Sequence, residues 1–370
     1  MEPILSEQQS LLRDSAVRLC ANLGGPKRAR QLRNDAVETD REAWGEIVKA
    51  GWLATAVPEQ AGGLGMGMFD LSLAMEEAGR QLLMVPLVEA AAAAWALAHA
   101  DRQSSKRALN EALEGKRLLV PALAQAGWGL EDSAPPKART GTSVVLEGRL
   151  RFVPFAATAD GFLVAARDGR KEPLLCVVPR DAKGLCVESV PNVDGSTSSE
   201  ITLDGVSPGA DAIVARSDKA RELMAAMRDL LALGVSAELL GVSNAALDMT
   251  LQYIKLRQQF GKPLGSFQAL QHRAASCFVD IELNRSLVYR VFSAWDAAQC
   301  HPAMVSATKA RASRTALEVT RTALQMHGAI GYTDEHDIGL YYKRAITLAA
   351  LYGNELNHTT RFFKLTAQGA

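Results

Sequence analysis

Tyr253 to Asp280 reads YIKLRQQFGKPLGSFQALQHRAASCFVD, and where this stretch starts and stops being helical governs the reading of the whole chain. Its pattern predicts a helix over 253–259, a break at Gly261, Pro263 and Gly265, and a second helix from Ser266. Ser266 is the expected cap of that second helix, its hydroxyl accepting a hydrogen bond from an otherwise unpaired first-turn N–H. Arg257, Phe260 and Gln268 then gather where one helix ends and the next begins. A guanidinium beside helix N–H groups suits a phosphate: the planar fork binds the anion, and the positive end of the helix dipole reinforces it. Taken alone, the same residues also fit a plain αα-corner with a surface arginine.

Further along, Gln325 to Tyr332 reads QMHGAIGY. R-x-x-F-G, then F-Q, then Q-x-x-G-x-x-G-Y, in that order and separation, resembles the flavin signature of the acyl-CoA dehydrogenases. The Gly-rich PEQAGGLGMG at 58–67 is a third match, so the resemblance covers nearly the whole chain. It implies bound flavin adenine dinucleotide (FAD), with Arg257 and Phe260 on the pyrophosphate and Gln268 on the nucleotide half. Gln325, Gly328 and Ala329 would form a return strip along ribose and phosphates. Ala329 replaces a usual second glycine, and a methyl group still permits close backbone approach. In the family the flavin lies between the β domain of one chain and the helical domain of another, which implies an oligomer.

The flavin-ring side departs from the family pattern. Ala122-Leu123-Ala124-Gln125-Ala126-Gly127 stands where A-L-T-E-P-G is usual, and Phe152-Val153-Pro154 where W-I-T or W-I-S is usual. Both expected hydroxyls are missing, at Ala124 and Pro154. Either the β domain of this chain holds flavin weakly, or backbone N–H groups and Trp128 take their place.

The reaction the resemblance implies needs a carboxylate that removes the proton α to a thioester while the β hydrogen leaves as hydride. A desolvated glutamate with a raised pKa suits that task. The commoner family position is filled here by Tyr352, in Leu351-Tyr352-Gly353. The alternative position, about 26 residues before Arg257, is Leu231, and Ala232 beside it replaces a common arginine. Glu355, Asp229 and Glu238 lie nearby as displaced candidates, each also readable as a surface or packing carboxylate. A tyrosine is too weak a base at neutral pH. His327 and His358 read as structural. The histidines are scattered, without the spacing of metal ligands, so no metal is expected.

Composition narrows the classes of function. The 370 residues carry 41 basic and 41 acidic side chains, so no net field favours nucleic acid or an anionic membrane. The five cysteines lack C-x-x-C spacing and read as buried thiols of a reducing compartment. The first twenty residues, with acids among periodic leucines, are unlike a signal peptide. The apolar run 87–100 is too short to cross a bilayer, and no other run stands out as a span. A soluble, cytoplasmic protein is expected.

Read in order, the chain predicts an α+β multidomain fold. An N-terminal all-α domain spans 1–116, a middle β-barrel or sandwich domain 117–215, and a C-terminal four-helix bundle 216–370. Ser6 with Gln9, and Thr39 with Glu42, resemble capping boxes, the second opening a helix that Gly51 stops. Further helices are expected at 69–79, 87–100 and 106–113, with packed irregular structure between Trp52 and Met68. From Leu118 alternation replaces the helical period, predicting six or seven strands to about Asp211. Long helices are then expected at 219–257, 266–298, 303–327 and 351–366.

With both base positions apolar or aromatic, the chain resembles the flavin-completing subunit of the heteromeric members that handle steroid side chains and other bulky thioesters. A homo-oligomer using a displaced acid and a flavin-free structural relative are the alternatives. The expected partners are an acyl-CoA substrate, another acyl-CoA dehydrogenase chain and an electron-transferring flavoprotein.

Overall fold

Ser6 opens the first helix with a reciprocal cap: the Gln9 N–H donates to Ser6 Oγ at 3.2 Å and the Ser6 N–H to Gln9 Oε1 at 3.0 Å. The computed structural model describes residues 5–100, 102–124, 134–140 and 143–367. The first helices are α1 (Glu7–Leu23), α2 (Pro26–Asn34), α3 (Arg41–Lys49), the single turn α4 (Trp52–Thr55), α5 (Met68–Arg80), α6 (Leu87–Ala98) and α7 (Gln103–Leu113). Strands β1 (Leu119–Ala122), β2 (Lys137–Thr140), β3 (Val144–Pro154), β4 (Gly161–Asp168), β5 (Pro173–Pro179), β6 (Leu185–Pro191), β7 (Thr197–Val206) and β8 (Ile213–Arg216) follow. The chain then returns to helix in α8 (Ser217–Leu256), α9 (Gln268–Asp296), α10 (Pro302–His327), α11 (Ile338–Ala350) and α12 (Glu355–Ala367). The order is helical, sheet, helical, as the sequence predicts.

Residue contacts divide the chain into two units. One comprises Met1–Asn34, Met68–Leu83 and Ala232–Ala370, so α5 groups with the C-terminal helices. The other comprises Asp35–Gly67 and Met84–Leu231.

In the sheet-containing unit the order is β6-β7-β3-β2-β4-β5-β8, with β1 pairing parallel to β4. β4 has neighbours along both edges, and Gly161 to Ala166 are all buried, which explains its unbroken apolar run. β6 lies at the end of the path and is largely exposed. β2 and β8 add to the expected strands; each has four residues, and β2 buries only Ala138, too little for a visible alternation. The Gly-rich loop after α4 is packed, with Trp52, Leu53 and Val57 buried. A Cβ on Gly63 would lie 2.0 Å from the Val57 carbonyl oxygen, so glycine is required there. The cap of α3 is Asp40 rather than Thr39: Asp40 Oδ1 accepts the Ala43 N–H at 3.2 Å. Thr39 instead shares a hydrogen bond with Thr158 at 2.6 Å.

In the helical unit α5 and α8 approach backbone to backbone. A Cβ on Gly241 would lie 1.9 Å from the Glu76 carbonyl, and one on Gly79 would lie 2.2 Å from that of Glu238. Beside this crossing, Arg285 of α9 donates to Glu76 at 2.6 Å and Tyr289 donates to Glu76 at 2.8 Å. The four helices expected after residue 218 are α8, α9, α10 and α12, with α11 as a fifth. The last one starts at Glu355, because Leu351 to Asn354 form a turn. Helix α2 also lacks an apolar signature, burying only Leu32.

Helix α8 carries a window with the length and hydropathy of a membrane span, contrary to the expectation that no such run stands out. That window is 89% buried in the protein, which marks a core helix. All five cysteines are free; Cys20, Cys176 and Cys277 are buried, whereas Cys186 is exposed and Cys300 half-buried. Cys186 points outward from β6, which alternation in so exposed a strand permits.

Candidate flavin half-site and the turn at Tyr352

Helix α8 ends at Leu256, one residue short of the expected 219–257 helix and three short of the 253–259 reading, and the chain reverses in a two-residue hairpin. Gln258–Gln259 pair with Lys262–Pro263, and the turn residues Phe260 and Gly261 have φ of 54° and 78°. Positive φ at both central positions matches the twist of a tight hairpin. Glycine adopts it freely, whereas a bulky Phe260 is strained there. Its ring is 85% exposed and touches Phe267 edge-on at 6.1 Å. Helix α9 then starts at Gln268, with Phe267 at the cap position and no side-chain cap. Ser266 is not the cap: its hydroxyl donates to the Pro263 carbonyl at 2.7 Å, because a short 3₁₀ turn precedes α9.

Ile254, Ala274 and Met326 form a buried cluster that joins the end of α8, the start of α9 and the end of α10. The two separated motifs are thereby brought to one end of the helical unit. Arg257, Phe260, Gln268, Gln325 and Ala329 are exposed there and Gly328 is half-buried. The Arg257 backbone is tied at both sides, its N–H to Tyr253 and its carbonyl to Leu264, each at 2.8 Å. Its exposed guanidinium faces solvent and can turn to a ligand. Gly328 closes α10 with φ 69°, its N–H donating to the Gln325 carbonyl. A cationic fork, an uncapped helix N-terminus and a small-residue backbone strip form an arrangement that suits a diphosphate.

Beneath the strip lies an aromatic layer that sequence reasoning missed. The His327 ring stacks on Tyr253 at 4.5 Å and meets His336 at 4.4 Å. His327 Nδ1 bonds to the Ala323 carbonyl at 2.8 Å, and burial, with His336 nearby, lowers its pKa. A neutral, structural His327 follows.

On the ring side, Ala124 is buried and its carbonyl accepts from Arg228 at 3.5 Å. Phe152 sits at a bulge of β3 with φ 54° and is 51% exposed, and Pro154 pairs with Ser198 of β7. Gln125 to Gly127 and Trp128 lie outside the described residues.

The turn at the commoner base position is held from beneath by Lys309, which is wholly buried. Its ammonium donates to Ser313 Oγ at 3.0 Å, to the Ala349 carbonyl at 3.1 Å and to the Gly353 carbonyl at 2.9 Å. Burial lowers the Lys309 pKa to about 7. His358 Nε2 bonds to the Tyr352 carbonyl at 2.9 Å, and burial first, then Lys309, lowers its pKa to about 3. Tyr352 is buried with φ 56°, followed by Gly353 at 98°. A lysine in an otherwise alternating helix gives no sign in sequence that it is buried, which is why Lys309 was missed.

Leu231 is buried within α8. Glu355 accepts from Arg314, with Nε at 2.8 Å, a pairing that raises the arginine pKa. Glu238 and Arg344 form a buried pair at 3.1 Å. Asp229 is buried. Among the described residues no group of three or more His, Cys, Asp or Glu could hold a metal ion.

A helical–sheet–helical chain with a diphosphate-shaped helical end defines a class of flavoprotein oxidoreductases. The acyl-CoA dehydrogenase N-terminal domain matches residues 6–116 and the acyl-CoA dehydrogenase C-terminal domain matches residues 224–359. The chain belongs to the acyl-CoA dehydrogenase family, oxidoreductases acting on CH–CH groups. It is 29% identical over 357 residues to the acyl-CoA dehydrogenase IpdE2 of Mycolicibacterium smegmatis, covering 94% of this chain and 96% of that one. A variant of the Tcur3481–Tcur3483 steroid ACAD superposes with a TM-score of 0.89 at 29% identity, covering 98% of each chain. The ChsE4–ChsE5 complex from Mycobacterium tuberculosis gives 0.89 at 26% identity, covering 100% of this chain and 99% of that one.

Proposed function

We propose that this chain is the flavin-completing subunit of a heteromeric acyl-CoA dehydrogenase, in which a partner chain provides the catalytic carboxylate. The observation that carries the reading is the pairing of an available Arg257 with a base turn that presents Tyr352. Two of the three nearby acids are engaged in ion pairs: Glu355 with Arg314 and Glu238 with Arg344. The Tcur3481–Tcur3483 and ChsE4–ChsE5 structures, each named for two different chains, support the same reading.

Arg257 offsets diphosphate charge with a bidentate fork, and Gln268 and Gln325 orient the nucleotide half. Gly328 and Ala329 let their backbone approach it closely. When bound, FAD supplies the acceptor for the β hydrogen, which leaves as hydride while the carboxylate of the partner takes the α proton. Tyr352 contributes no base, and its buried turn is clamped by Lys309 and His358. The substrate class is a bulky acyl-CoA thioester, and the electrons pass to an electron-transferring flavoprotein in the cytoplasm.

Flavin content tests the cofactor half of the reading. Arg257→Ala removes charge-assisted bonds worth about 1.5–3 kcal/mol each, so the flavin-to-protein ratio after gel filtration should fall. An unchanged ratio contradicts the assignment. Co-expression with an acyl-CoA dehydrogenase chain that carries a glutamate at the base turn tests the other half, since turnover should then appear.

A further inference from the structure

The segment that follows the Gln325–Tyr332 motif is pinned to a distant part of the chain. Arg33 of α2 donates to both carboxylate oxygens of Asp334, at 2.8 and 2.6 Å. Arg30 donates to Asp337 Oδ1 at 2.7 Å and to the Asp334 carbonyl at 2.9 Å. Between these anchors His336 packs against His327 at 4.4 Å and Tyr253 at 5.9 Å. Within the strip, a Cβ on Gly331 would meet the Leu324 carbonyl at 2.9 Å, so the strip there lies close on α10. The strip is therefore fixed by α10 on one side and by two arginines on the other.

Helix α2 has few other reasons to sit where it does, since Leu32 is its only buried residue. The Arg30 and Arg33 side chains are 25% and 19% exposed, while Asp334 is 60% exposed, so the aspartates reach back to mostly covered cations. Arg33 holds the Asp334 carboxyl below the usual carboxylate range, which keeps the contact charged through the neutral region. A planar fork matched to a carboxylate fixes direction as well as distance.

We propose that Arg30 and Arg33 form an electrostatic latch that positions the Gly328–Tyr332 strip, so that the affinity of this chain for FAD is set in part from α2. They are positioning residues, acting on the cofactor through Asp334 and Asp337. This rests on the flavin reading above. A networked pair of this exposure is worth a modest factor, so opening it should weaken FAD binding about three- to tenfold. The effect should fall on the release rate, and raising the salt concentration should mimic it in the unmutated protein.

The test is titration of the full-length protein with FAD, followed by flavin fluorescence, alongside backbone hydrogen exchange over 328–337. Arg33→Ala should weaken affinity and speed exchange in that segment, with the melting temperature little changed. Arg33→Asp combined with Asp334→Arg should restore most of the affinity. Should Arg33→Ala fold poorly, Asp334→Asn breaks the same ion pair from the exposed side. Wild-type affinity in Arg33→Ala and in Asp334→Asn, while Arg257→Ala binds more weakly, overturns the latch and leaves the flavin reading intact. Absence of FAD binding by the unmutated protein, alone and with a partner, overturns both.

Discussion

Replacing Glu238 by Gln separates a structural carboxylate from a catalytic one. Glu238 and Arg344 are 3.1 Å apart with side chains only 6% and 7% exposed. An exposed pair would be worth about 1 kcal/mol at most. In a buried pair, removing one partner leaves the other charge without compensation, at a cost of about 3–5 kcal/mol. At about 2–4 °C per kcal/mol, the melting temperature should fall on the order of 10 °C. Replacing both residues, Glu238→Leu with Arg344→Met, removes the stranded charge and should recover most of that loss. The assay is scanning calorimetry of the wild type, both single variants and the double variant, with turnover of the assembled enzyme measured at a temperature where all are folded. A Glu238→Gln variant that melts like wild type and yet loses turnover would overturn this assignment, because Glu238 would then be the base.

Gly241→Ala should destabilise the protein by about 3 kcal/mol or more, since the new methyl would meet the Glu76 carbonyl at 1.9 Å; equilibrium unfolding would show it. Stability should fall on acidification, because His358 and Lys309 are bases whose pKa values in the fold lie below their unfolded values. For His358 the unfolded chain binds the extra proton between about 3 and 6.5, so stability is complete above 6.5 and is lost as pH falls toward 3. The slope in that window should reach about 1.4 kcal/mol per pH unit, and His358→Gln should flatten it in urea titrations at pH 4 and 6. Lys309 acts with the same sign between about 7 and 10.5, and Lys309→Met should remove the rise of stability across that alkaline window.

Much of the fold was legible because its signals are local. The Ser6–Gln9 box, the apolar run of β4 and the helical period of α8 each report directly on one element. Helix α2 was invisible because arginine–aspartate pairs across more than 300 positions hold it, rather than an apolar stripe. Thr39 and Asp40 are both good cap residues, and only packing against Thr158 decided between them. Ser266 misled because a 3₁₀ turn, which sequence does not announce, shifts the start of α9 by two residues. In the flavin half-site, Arg257, Gln268 and Gln325 stood out because their motifs resemble the flavin signature of the family, and the fold gathers them at one end of the helical unit. What brings them together, the Ile254–Ala274–Met326 cluster, is three ordinary apolar residues. Tyr352 was legible as a substitution, whereas the Lys309–His358 clamp beneath it depends on burial that periodicity does not report.

A chain that completes a flavin site but has no base of its own should be nearly silent by itself. Dye-linked dehydrogenation by the purified chain, saturated with FAD, reads this out against short, long and polycyclic acyl-CoA substrates, with and without a partner chain. Loss of a positioned general base costs on the order of 10²–10⁴ in rate. Turnover of the chain alone should be lower by about that factor, restored by the partner and left nearly intact there by Glu355→Gln. Robust turnover by the chain alone, abolished by Glu355→Gln, Asp229→Asn or Glu238→Gln, would contradict it.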